Sequence, residues 1–170
     1  VQVGTPFAFC EESGLRNDYK AELLREALTG RARIFTDPLA SPTGFPFKVA
    51  RLEGTGSEPA VYANRPRICD LGYLREAYRT GDGSIGYRCP GEPVTTYVAK
   101  GGSAEAAAGR KCLCNALLAN IGHPQVRAGK HIEQGLVTAG DDFSGVTRFL
   151  TPGHASYTAA DVVATLTGQS

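Results

Sequence analysis

Between Asn17 and Leu28, apolar residues recur at helical spacing. Ala21, Leu24 and Leu28 form one stripe with Leu23 and Ala27 beside it, and Glu22, Arg25 and Glu26 fall on the other side. That is the pattern of an amphipathic helix with one buried face. Asn17 stands where an N-cap is wanted and Asp18 puts negative charge in the first turn. Gly30 follows as a C-terminal cap. A second long helical pattern covers Ala104–Ile121, interrupted near Gly109. There Cys112, Ala116 and Ala119 share a face, as do Leu113 and Leu117, until Gly122 and Pro124 stop it. Two further helices are expected towards the end. One is capped by Asp141 or Asp142, with Phe143, Val146 and Leu150 inward. The other is capped by Thr158, with Asp161 completing a capping box and Val162, Val163 and Leu166 inward.

The extended segments are short. Val1–Val3 reads as the end of a strand, Arg33–Thr36 as an extended piece and Phe47–Leu52 as a strand. Residues 37–48 hold three prolines and one glycine, which excludes a regular element over most of that span. Glu53–Glu58 reads as a loop and Ile68–Ala77 as a helical turn. Gly81-Asp82-Gly83-Ser84 marks a turn, with Tyr78 before it and Ile85–Cys89 after it, and predicts a hairpin. Val94–Lys100 fits a short strand or a short helix, ended by Gly101-Gly102.

Composition narrows the picture. The chain has 170 residues, enough for one domain with a real core, and its 21 glycines and 10 prolines predict many turns and irregular connections. With 18 basic and 17 acidic residues it has no charge excess suited to nucleic acid or an anionic membrane surface. No apolar run approaches the ~18 residues of a membrane span. Five cysteines, an odd number, with no visible export signal, fit a cytoplasmic protein with reduced thiols.

Candidate chemistry begins at Gly4-Thr5. A strand running into Gly-Thr can hold a phosphate: glycine leaves the backbone open to close approach and threonine supplies a hydroxyl. The same spacing also makes an ordinary strand-to-loop turn. Cys69, Cys89, Cys112 and Cys114 could surround zinc, but the spacing lacks a CxxC pair, and buried reduced thiols are the simpler reading. His123, His131 and His154 lie in no catalytic motif, and Asp141-Asp142 reads more simply as a helix cap than as a cation site.

The segment VQVGTPFAFCEESG, together with FTDPLASPTGFPFKV, GRKCLCNALLANIG, TAGDD and YTAADV, resembles the nitronate monooxygenase family (2-nitropropane dioxygenases) over nearly the whole chain. The resemblance is weakest in Leu52–Ala63. It implies the C-terminal part of a TIM-type (βα)8 barrel, contributing its last strand and helix, plus an irregular α/β cap extension. Residues 1–36 would be the last βα unit of an FMN-binding barrel and residues 37–170 the cap. It further implies FMN as cofactor, a small nitronate oxidised with dioxygen, and Gly4 and Thr5, with Gln2 nearby, at the flavin phosphate. In SPTGFPFK, Lys48 would face the flavin or its phosphate, or stand as a surface charge, while Phe45 and Phe47 would anchor the loop in the core. The family's catalytic histidine lies before the segment matched here, so no catalytic residue is expected in this chain. The missing N-terminal barrel half, or a partner chain, would complete the enzyme, and the chain alone would be inactive. Two other expectations stand beside this one: a flavin-dependent enoyl reductase-like component of lipid or polyketide synthesis, and a non-catalytic fragment that pairs with a partner chain.

Overall fold

Leu23 and Leu24, both almost wholly buried, sit at the centre of the larger of two hydrophobic cores. The computed structural model describes residues 3–127 and 131–169. Val1 and Gln2, and with them most of the expected first strand, lie outside the described residues. From Thr5 the chain is helical rather than a loop: α1 (Thr5–Phe9) is a short helix with Gly4 at its N-cap and Pro6 in its first turn. Helix α2 (Asn17–Leu28) follows, with Arg16 rather than Asn17 at the cap position.

Its buried face is Tyr19, Lys20, Leu23, Leu24 and Ala27. The stripe expected through Ala21 and Leu28 is rotated towards Tyr19 and Lys20, and Leu28 is 54% exposed. The rotation follows from what covers the helix. Phe9, Phe143, Val146, Phe149, Tyr157 and Val162 belong to the same core, and Lys20 turns its amine onto the end of α1.

Strand β1 (Ile34–Asp37) pairs antiparallel with β2 (Phe47–Ala50), in a register that sets Ile34 opposite Ala50 and Asp37 opposite Phe47. The far edge of β2 takes residues 137–139: Ala50 donates to Val137 O at 2.9 Å, and Ala139 donates to Lys48 O at 3.2 Å. A smaller core lies beside this sheet, built from Ala40, Val49, Leu113, Ala116 and Leu136.

The middle of the chain is a series of short elements. Helix α3 (Pro59–Ala63) stands where no helix was expected. The helical turn expected over 68–77 is absent, and strand β3 (Glu76–Arg79) forms instead. It pairs with β4 (Ile85–Arg88) in the hairpin that the Gly81–Ser84 turn predicts. Helices α4 (Val94–Ala99), α5 (Ala104–Ala107) and α6 (Leu113–Asn120) follow. The break between α5 and α6 needs glycine: Gly109 has φ +66°, and a Cβ there would come within 2.9 Å of Leu39 Cδ1.

Strands β5 (Val126–Arg127) and β6 (His131–Ile132) pair. A 3-10 helix over Phe143–Phe149, where an α-helix was expected, and α7 (Ala159–Thr167) end the described chain. Val162 of α7 is fully buried, but Val163 and Leu166, expected inside, are 49% and 45% exposed.

The protein is thus a mixed α/β fold. Among the described residues its strands form three separate two-stranded antiparallel sheets, and there is no closed barrel. Hairpin β1–β2 and the larger core both join residues on either side of position 36. Among the described residues no helix is long and apolar enough to cross a membrane.

Candidate functional site

The β2 edge brings the sequence-nominated residues together. Ala139 is held on Lys48 by its backbone, and the next amide, Gly140 N–H, donates to Thr5 Oγ1 at 2.7 Å. These two bonds seat the start of α1 against β2. The result is a groove of about 570 Å³ lined by Gly4, Thr5, Phe45, Phe47, Lys48 and Thr138, among others.

Each nominated side chain has a defined state. Thr5 Oγ1 accepts from Gly140, and among the described residues no acceptor takes its own proton, which can be given to a ligand. Lys48 Nζ donates to Thr36 Oγ1 at 2.7 Å, across the β1–β2 pair that sets those two residues opposite each other. It also lies 3.0 Å from Asp141 Oδ1. Both partners of this ion pair are largely solvent-exposed, so it contributes little to stability and can exchange for another anion. Gly4 is not required by its own backbone, whose φ of −112° suits any residue. Among the described residues, nothing lies within 4 Å of a Cβ built on it, and the space beside it borders the groove. Gln2 lies outside the described residues.

Phe47 packs, partly buried, against the smaller core as expected, whereas Phe45 does not serve as a core anchor. Phe45 is 61% exposed and meets Phe47 edge-on, with ring centroids 5.0 Å apart. The pair forms an apolar wall beside Lys48, of a kind that receives a flat ring. Sequence reasoning missed Thr36, Gly140 and Asp141 as partners of the groove residues Lys48 and Thr5. The segment TAGDD carried the only trace of the last two, and Asp141 looked like a helix cap there. In fact Asp142 holds the cap position of the 3-10 helix, without a side-chain capping bond.

The cysteines form a second grouping. Burial pushes the Cys89 thiol up to about 12, against the Gly91 N–H that donates to its sulfur at 3.4 Å. Burial likewise raises Cys112 and Cys114. At neutral pH these thiols are protonated and poorly nucleophilic. Among the described residues no group of three or more His, Cys, Asp or Glu side chains is arranged to hold a metal ion.

No family model, no curated protein and no solved structure matches the chain.

Proposed function

We propose that the chain is the C-terminal portion of an FMN-dependent oxidoreductase resembling the nitronate monooxygenases, and that the groove at Gly4, Thr5 and Lys48 receives the flavin phosphate. One observation carries the reading: three residues nominated for that phosphate, from two separate stretches of sequence, line a single groove. The donor set suits a phosphate. Thr5 has a hydroxyl proton to give, Lys48 has an ammonium whose present partner is an exposed carboxylate, and the space that the described residues leave beside Gly4 lets an oxygen approach the backbone. In barrel enzymes the phosphate commonly sits at a short extra helix after the last strands, the position α1 would hold ahead of α2. On this reading α2 is the last barrel helix, and the sheet that it covers is completed by a segment other than those described.

Bound flavin would supply electron transfer between a nitronate and dioxygen. The work of this chain is to bind and orient. Lys48 would leave Asp141 for the phosphate, Thr5 would donate one hydrogen bond, and the Phe45–Phe47 wall would keep water from one side of the groove.

The test is FMN affinity of the full-length protein, followed by quenching of flavin fluorescence. Lys48→Ala should weaken binding by about tenfold, the loss expected for one charge-assisted hydrogen bond. Equal affinity in the variant would sink the phosphate assignment. A gene with no barrel-coding sequence upstream of Val1 would sink the barrel.

A further inference from the structure

A second cavity, sharing no lining residue with the groove at Gly4, opens between β1, α3 and the turn after α5. It encloses about 480 Å³, within the usual range for small-molecule sites. Its wall is unusually basic: Arg51, Arg65, Arg67 and Lys111 line it together with the rings of Phe35 and Tyr62.

The charges there do not cancel. Lys111 Nζ pairs with Asp37 at 2.8 Å, and both are largely buried. Arg65, 8% exposed, pairs through Nε with one oxygen of the buried Glu133. Arg67 spends its donors on the backbone carbonyls of Pro90, Glu92, Ala107 and Arg110, and no carboxylate pairs with it among the described residues. Arg51 is exposed, with its guanidinium 5.8 Å from the Phe35 ring centroid, and it too has no carboxylate partner among the described residues. Two pairs cancel and two guanidinium charges remain.

Donors remain as well. Among the described residues Arg65 Nη2 is buried without a hydrogen-bond partner, as is Oε2 of its ion-pair partner Glu133. Lys111 uses two of its three protons, on Asp37 and on Gly56 O. A buried cationic donor without an acceptor is costly, and an oxyanion entering the cavity supplies that acceptor.

We infer that this cavity binds a phosphate monoester carrying a small flat apolar group. The two uncancelled guanidinium charges match the nearly two negative charges of a phosphate monoester at neutral pH. The free donors of Arg51, Arg65 and Lys111 suit its three terminal oxygens. Phe35 and Tyr62 give the apolar part a surface on which to lie.

Phenyl phosphate, inorganic phosphate and benzoate are the probes, each titrated into the 170-residue chain by calorimetry. Phenyl phosphate should bind saturably and more tightly than either of the others. Arg51→Glu, a surface change that leaves the fold intact by circular dichroism, should weaken it by about tenfold or more. Lys48→Ala should leave it unchanged, which separates this cavity from the proposed flavin groove. Absence of saturable binding, benzoate binding as tightly as phenyl phosphate, or full affinity in Arg51→Glu would each overturn the inference. Displacement of phenyl phosphate by FMN at flavin-binding concentrations would overturn the separateness of the two sites.

Discussion

Lys20 is a charged residue on the buried face of a helix. Its carbon stem packs with Tyr19 and Leu23 on the inner face of α2, and its amine reaches the carbonyls of Cys10, Glu11 and Ser13 at 3.0, 2.9 and 3.2 Å. Those carbonyls belong to the turn that ends α1, where backbone acceptors lose their intrahelical partners. One ammonium has three protons and satisfies all three, so the chain can reverse there without burying unpaired oxygens. Lys20→Met keeps most of the stem and removes the donors. It should cost about 2 kcal/mol, the penalty for leaving partly buried acceptors unpaired, read as a lower urea midpoint at unchanged slope. A loss below about 0.5 kcal/mol would show that water replaces the amine. Polarity alone places Lys20 on the wet side of α2, which is why the expected stripe, right at Leu23, Leu24 and Ala27, is turned away from Tyr19 and Lys20. The four cations of the basic cavity were hidden for a related reason. Arg51, Arg65, Arg67 and Lys111 are unremarkable where they stand in sequence, and only the tertiary fold makes them neighbours.

At the scale of elements, local rules worked where the determinant is local. Helix α7 begins with a complete capping box: Thr158 Oγ1 accepts from Asp161 N at 3.2 Å, and Asp161 Oδ2 accepts from Thr158 N at 2.7 Å. Thr158→Ala removes one half of it and should lower stability by about 1 kcal/mol, checked as a drop in thermal midpoint with Thr158→Ser close to the parent. An alanine variant as stable as the parent would show that α7 is held by Val162 and its core neighbours alone. The hairpin at Gly81–Ser84 and the interruption at Gly109 were legible for the same reason, since each rests on a glycine with positive φ. Elements fixed by their surroundings were not legible. Helix α3 has no buried residue and no apolar stripe to announce it. In the 143–149 segment Gly145 leaves room beside Asp142, whose carboxylate would lie 2.8 Å from a Cβ at that position. Of the candidate groove, Gly4, Thr5 and Lys48 were legible from the sequence. Their contacts with Gly140, Thr36 and Asp141 were not, because backbone pairing along β2 creates them.

Across the whole molecule, the segment after α1 and the segment leading into α7 are clasped. Glu11 N–H donates to Tyr157 O at 2.9 Å, the Tyr157 hydroxyl donates to Pro6 O at 2.8 Å, and Ala159 N–H donates to the Glu12 carboxylate at 2.9 Å. The Ala159 N–H holds the Glu12 carboxyl below its ordinary value, and the Thr158 N–H and hydroxyl do the same for Asp161. A carboxylate depressed on folding stabilises the folded state above its unfolded pKa, and that contribution is lost as pH falls through the folded value. Tyr157 works in the other direction. Burial raises its phenol, so its contribution is intact below the ordinary tyrosine value near about 10 and is lost as pH rises through the raised one. The clasp should therefore hold between these limits and loosen on both sides, below about pH 4 and above about pH 10. Thermal midpoints across that range should show a plateau with two falling edges. Glu12→Gln keeps an acceptor for Ala159 but cannot titrate, so its acid edge should be shallower. Tyr157→Phe removes the ionisation and the bond to Pro6 together, so it should lower the plateau and flatten the alkaline edge. If both variants reproduce the parent's edges, the pH response arises elsewhere, and the Asp70–Arg127 pair, whose carboxyl is also held low by its guanidinium partner, is the next place to look.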